Sequence, residues 1–298
     1  METTAGSKKA LKFAYYPGCS LHATAVDYNE STLAVAEALG IDLVEVPDWS
    51  CCGSTPAHCT DELLAAALPA KNMIAAGTVA DEMLVCCSAC FSRLKFAQKH
   101  IEEKENIRTK LSKIMPVEQA QSIKVRHLLD VLVQDIGVEK IAELKQQDLG
   151  LKVACYYGCL LTRPPKVTEL DDAEDPCFMD DLLTAAGMET VPWPYKTECC
   201  GASFSLTRTE IVLRLVADIL QMAKEAEVDC ISVACPLCHA NLDMRQSDIK
   251  KKLGLKYDIP IFYFTQLLGM AFGLEQGKLG IGRSLVDCKE LLAAKGIK

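Results

Sequence analysis

Thr197-Glu-Cys-Cys-Gly201 followed by Ser232-Val-Ala-Cys-Pro-Leu-Cys238 repeats an earlier pair of segments, Trp49-Ser-Cys-Cys-Gly53 and Leu84-Val-Cys-Cys-Ser-Ala-Cys90. Cys52 to Cys87 and Cys200 to Cys235 both span 35 positions, and each interval runs into the same Cys-x-x-Cys. Upstream, Phe13-Ala-Tyr-Tyr-Pro-Gly-Cys19 is matched by Val153-Ala-Cys-Tyr-Tyr-Gly-Cys159. Downstream, His127-Leu-Leu-Asp-Val-Leu132 is loosely matched by Phe264-Thr-Gln-Leu-Leu268. The first arm alone differs, with 32 positions from Cys19 to Cys51 against 40 from Cys159 to Cys199. The extra eight residues fall within Thr162–Pro176, a stretch rich in Pro, Asp and Glu that reads as a loop. Self-similarity of this kind marks a duplicated unit. The chain reads as two tandem domains, 1–148 and 149–298, joined near Asp148–Lys152.

Each half alternates strand and helix. An apolar run leads to Cys19 or Cys159, and a helix follows (Tyr28–Leu39, Cys177–Ala186), closed by Gly40 or Gly187 as a C-terminal cap. Short strands (Leu43–Val46, Glu189–Pro192) lead to Cys-Cys-Gly, further helices fit Glu62–Ala75 and Thr209–Ala226, and strands at Met83–Val85 and Cys230–Val233 run into Cys-x-x-Cys. This alternation predicts an α/β fold: two homologous halves with mostly parallel sheets, related by a pseudo-twofold, with the cysteines at the C-terminal ends of strands, where open α/β sheets collect ligands. The charged segment Glu102–Gln121 reads as helical surface structure, and Ile259–Leu274 as a buried strand running into a buried helix.

Sixteen cysteines in 298 residues require a reason. A chain of this length buries a sizeable core without staples. Disulfides belong to oxidising compartments. The start, METTAGSKKALKFAYYPGC, holds no apolar run of signal-peptide length, and Ile259–Leu274 is too short and too polar to span a bilayer. The expectation is a cytoplasmic protein without a transmembrane segment, whose paired cysteines do metal or redox work. A net charge of −8 with no dense Lys/Arg cluster argues against nucleic acid as a partner.

Ten cysteines follow the repeat: Cys19, Cys51, Cys52, Cys87 and Cys90 in the first half; Cys159, Cys199, Cys200, Cys235 and Cys238 in the second. Cys59, Cys86, Cys155, Cys177, Cys230 and Cys288 have no counterpart and read as ordinary small apolar residues. Cys-x-x-Cys entering a helix turns two sulfurs toward one point, where amide groups favour an anionic centre. Adjacent cysteines suit an object with several metal atoms better than one tetrahedral ion, and a fifth sulfur exceeds what zinc or an ordinary four-sulfur cluster takes.

These residues resemble the cysteine-rich CCG domain. The duplicated pattern, with Cys235-Pro-Leu-Cys-His-Ala-Asn-Leu-Asp243 and Tyr263-Phe-Thr-Gln-Leu-Leu-Gly269, is similar to the heterodisulfide reductase B-subunit over nearly the whole chain. The 34 residues between Cys52 and Cys87 are one short of the family's usual interval. The resemblance implies two noncubane [4Fe-4S] clusters, one on each set of five cysteines, facing a common cavity and reductively cleaving a disulfide of the coenzyme M–coenzyme B type or a related one. It also implies two partners, a ferredoxin-like C-subunit plus a flavin-containing A-subunit, with a hydrogenase or formate dehydrogenase module behind them. No nucleotide or flavin fingerprint occurs in the chain itself. His22 and His239, close behind cluster cysteines, are candidate proton donors to departing thiolates, although a plain hydrogen bond to nearby backbone is the simpler reading. Alternatives are an electron-transfer subunit of a lactate, glycolate or glycerol-3-phosphate dehydrogenase complex, and a structural zinc protein.

Overall fold

Every strand pairing in the computed structural model, which describes residues 11–297, is parallel. The first sheet contains β1 (Leu11–Tyr16), β2 (Ile41–Glu45), β3 (Glu82–Val85) and β4 (Lys124–His127) in the order β2-β1-β3-β4. The second contains β5 (Lys152–Tyr156), β6 (Glu189–Thr190), β7 (Cys230–Val233) and β8 (Ile261–Tyr263) in the order β6-β5-β7-β8. Parallel neighbours need long crossovers. Helices Val26–Leu39 and Glu62–Ala76 supply them in the first half, Phe178–Ala185 and Thr209–Glu225 in the second.

This strand order decides where the cysteines meet. From β1 the chain steps to one side for β2, then crosses back past β1 for β3. The crevice between β1 and β3, at their carboxyl ends, is the switch point where open α/β sheets bind ligands. Cys19 lies just beyond β1, and Cys87 and Cys90 lie just beyond β3. The second half repeats this with Cys159 beyond β5, and Cys235 and Cys238 beyond β7.

The elements follow the sequence reading with small differences. Strand β2 begins at Ile41, directly after Gly40, which takes φ 71° and ends the preceding helix. Within the inserted loop, Pro165–Thr168 makes one helical turn. The charged segment is more than surface decoration: helices Glu105–Leu111 and Val117–Ser122 bury Ile107, Leu111, Val117 and Ala120. Helix Phe264–Ala271, directly after β8, is buried at every residue.

The halves join through that buried helix. Tyr28 on Val26–Leu39 stacks on Tyr263, with ring centroids 4.1 Å apart and planes 4° from parallel. Ser31 and Thr265 share a hydrogen bond of 2.7 Å. The Tyr28 hydroxyl reaches the carbonyls of Cys86 (3.1 Å) and Ala234 (3.4 Å), which directly precede Cys87 and Cys235.

A candidate metal centre of ten thiols

The two sets of cysteines are assembled by the same devices. Tyr16 donates its hydroxyl to the Ser50 carbonyl at 2.8 Å, and Tyr156 donates to the Glu198 carbonyl at 2.6 Å, so each tyrosine fixes the backbone just before a pair of adjacent cysteines. Gly18 (φ +65°) and Gly158 (φ +71°) precede the first cysteine of each half; a Cβ there would lie 3.2 Å from Cys90 Sγ and 3.1 Å from Cys238 Sγ. A positive φ and a close approach by sulfur together require glycine.

The thiols then chain together. Cys19 and Cys51 sulfurs are 3.8 Å apart, Cys52 and Cys90 3.4 Å, and Cys200 and Cys238 3.6 Å. Within each set, Cys51 and Cys52, Cys87 and Cys90, Cys159 and Cys199, and Cys235 and Cys238 shift one another's titration as free thiols. Tyr28, through the carbonyls of Cys86 and Ala234, ties the residues before Cys87 and Cys235 together at the junction of the halves. Among the described residues no three His, Cys, Asp or Glu side chains converge as a single-ion site requires.

Shared protons leave some thiols as favoured thiolates, the form that binds metal. The neighbouring Cys51 thiol, then the Cys90 thiol, pulls Cys52 well below the usual thiol range. The Cys238 and Cys87 thiols do the same for Cys235, and the Cys159 thiol lowers Cys199 to about 6. Their partners Cys51, Cys90, Cys159 and Cys238 are pushed up correspondingly. The Gly201 amide also donates to Cys199 Sγ at 3.3 Å, as an anionic sulfur favours.

A cavity of about 280 Å³ opens beside the second set and is lined by all five of its cysteines. The first half contributes Ser54, His58, Ser88 and Arg93, while Leu160 and Phe204 supply apolar wall. The first set's own cysteines do not line it, so the thiols face the cavity unequally. Arg93 is half-buried; its guanidinium lies over the Phe96 ring, 5.2 Å from the centroid, and has no carboxylate partner among the described residues. The sequence reading missed Arg93 and His58. Arg93 stands three residues after Cys90 on one helix, hence on the same face, and that spacing was the available signal.

The two histidines named from sequence lie elsewhere. His22 is exposed, edge-on to Trp49 at 5.5 Å. His239 is buried, stacks on Tyr263 at 4.3 Å and donates from Nε2 to the Ile261 carbonyl at 3.1 Å. It lines a different cavity, with Asp27, Asp243 and Arg283. Of the six unmatched cysteines, Cys86, Cys155, Cys230 and Cys288 are buried, and Cys59 and Cys177 are exposed.

Residues 13–95 and 153–243 match the CCG cysteine-rich domain family, once per half. The chain is 32% identical to the 8-methylmenaquinol:fumarate reductase membrane anchor subunit of Wolinella succinogenes, over 94% of this chain and 99% of that one. It is 31% identical to the B-subunit of the ferredoxin/F(420)H(2)-dependent CoB-CoM heterodisulfide reductase of Methanosarcina acetivorans, over 95% of this chain and 96% of that one. A crystal structure of a hypothetical protein from Helicobacter pylori shares the fold with a TM-score of 0.73 at 11% identity, over 94% of this chain and 52% of that one. Among the described residues no helix is long and apolar enough to cross a membrane.

Proposed function

Because the chain belongs to the heterodisulfide reductase B-subunit family of duplicated CCG cysteine-rich domains, we propose that it is the iron–sulfur subunit of an oxidoreductase complex that reductively cleaves a disulfide. Cys19, Cys51, Cys52, Cys87 and Cys90 would hold one noncubane [4Fe-4S] cluster, and Cys159, Cys199, Cys200, Cys235 and Cys238 the other. The donor set fits: thiols suit iron–sulfur clusters and zinc alike, but each half offers five where zinc takes four. When bound, the clusters supply the two electrons that disulfide cleavage consumes. The observation carrying this reading is the cavity that both halves line and that all five cysteines of the second set face.

The chain's own groups are suited to holding a disulfide there. Leu160 and Phe204 offer apolar wall, Arg93 offers hydrogen-bond donors, and Ser54 and His58 add polar groups. Electrons would come from ferredoxin-like and flavin-containing subunits of the complex. The test is anaerobic preparation, iron and acid-labile sulfide analysis, chemical reduction, then addition of thiol disulfides. Reoxidation with release of two thiols per disulfide is expected. Zinc without sulfide, or no reoxidation by any disulfide, would reject the proposal.

The Wolinella succinogenes relative, named as a subunit of a quinol:fumarate reductase, and a relative named lactate utilization protein A favour a second reading, an electron-transfer subunit of a quinol- or hydroxyacid-linked complex. Clusters that exchange electrons with such a partner but with no disulfide would select it.

A further inference from the structure

A disulfide cut into two thiols takes up two protons as well as two electrons, and neither His22 nor His239 lines the cavity of the second set. His58 does, and among the residues lining that cavity it alone carries an imidazole. It comes from the first half, on the short helix Ser54–Thr60 that follows Cys51-Cys52-Gly53, and shares the cavity with the second half's thiols. Its Nδ1 donates to the Ser54 carbonyl at 3.1 Å. A carbonyl only accepts, so that bond keeps a proton on Nδ1 and leaves Nε2 as the nitrogen that gains and loses one. The residue is exposed, so the ring exchanges protons with water. The other polar groups on the wall are unsuited to this part. Arg93 keeps its charge and releases no proton. Serine hydroxyls do not titrate near neutral pH. Ser88 is committed to the Ala234 carbonyl at 3.1 Å, and Tyr157 to the Asp180 carboxylate at 2.5 Å.

We propose, on the disulfide-cleaving reading above, that His58 is the proton donor to the thiolate that departs into this cavity. The S–S bond breaks, two electrons from external one-electron donors reduce its sulfurs to thiolates, and each thiolate takes one proton to become a thiol. His58 passes its Nε2 proton to one sulfur, as a general acid, and recovers it from solvent. The repeat supplies no second donor. Leu206 stands five residues beyond Gly201, as His58 stands five beyond Gly53; it is 96% exposed and has no proton to give. The other sulfur therefore takes its proton from water. The two thiols are released by unequal routes, although the ten cysteines repeat.

Two measurements on the iron- and sulfide-loaded protein test this, with dithiodiethanol, oxidised glutathione and the coenzyme M–coenzyme B heterodisulfide as probes. In the first, oxidised protein is treated with diethyl pyrocarbonate and each histidine's modification is read by mass spectrometry. His58 should lose its modification as a probe that reoxidises the reduced protein saturates the cavity, while exposed His22 keeps it. In the second, reduced protein is mixed with that probe and thiol release is timed. Release in H58Q should slow about 100-fold, added imidazole should restore part of the rate, and bound iron and sulfide should match the wild type. A His58 that stays open to the reagent overturns the proposal without any variant. Release in H58Q within about threefold of the wild type overturns it too, as does a slow H58Q that imidazole does not rescue. A loss of iron in H58Q does the same, because it would make His58 a support of the centre. No reoxidation of the wild type by any probe removes the disulfide reading and this proposal together; reoxidation with His58 unprotected removes this proposal alone.

Discussion

Gly18 and His127 show how single positions hold the thiols in place. Alanine at Gly18 would need φ +65° and would press a methyl group against Cys90 Sγ. G18A should cost about 1–2 kcal/mol for the left-handed backbone and lower the iron bound by the first half. Urea denaturation and iron per chain measure both, with G158A expected to act on the second half. His127 is buried and neutral: Nε2 donates to the Cys86 carbonyl at 2.8 Å, and Nδ1 accepts from the Leu129 amide at 3.2 Å. Burial pushes its pKa down from 6.5 to about 4. Between those values the unfolded chain binds the proton and the folded chain does not. Stability is therefore full above pH 6.5, falls as the pH drops toward 4 and levels off below, by roughly 3 kcal/mol in all. Denaturation midpoints against pH should show this slope, and H127Q should flatten it.

Helices and strands carry those residues to one end of each sheet. Helix Glu62–Ala76 begins at Asp61, whose carboxylate accepts the Leu64 amide at 2.7 Å. D61A should lose about 1 kcal/mol of stability by denaturation, with spectroscopic helix content nearly intact. Helix Thr209–Glu225, its counterpart, turns Val212, Leu213, Val216, Ile219 and Leu220 inward, the helical stripe its sequence announces. The segment 102–121 was harder to read. Its buried residues lie on two short helices separated by a turn, so the helical period breaks and only the charges stand out.

The joined halves depend on contacts that neither half makes alone. Tyr28 is fully buried, stacks on Tyr263 and touches both carbonyls that precede Cys87 and Cys235. Y28A should cost about 3–5 kcal/mol and loosen the junction. Denaturation followed by two probes, one in each half, should then show separate transitions where the wild type shows one.

The duplication, the α/β alternation and the ten matched cysteines were all legible in the chain, because they are intervals along it: spacing counts covalent bonds, and a repeat keeps the count. The tyrosines before Gly18 and Gly158 were visible for the same reason, although not the carbonyls they hold. Only packing let Tyr28 tie the carbonyls before Cys87 and Cys235, 148 positions apart, and left His239 facing Ile261 and a separate cavity. Packing also gave His58 a wall shared with the other half's thiols while its counterpart Leu206 was left in solvent. Such contacts act through space, and their strength depends on burial and on the direction in which each side chain leaves the backbone, neither of which an interval in sequence records.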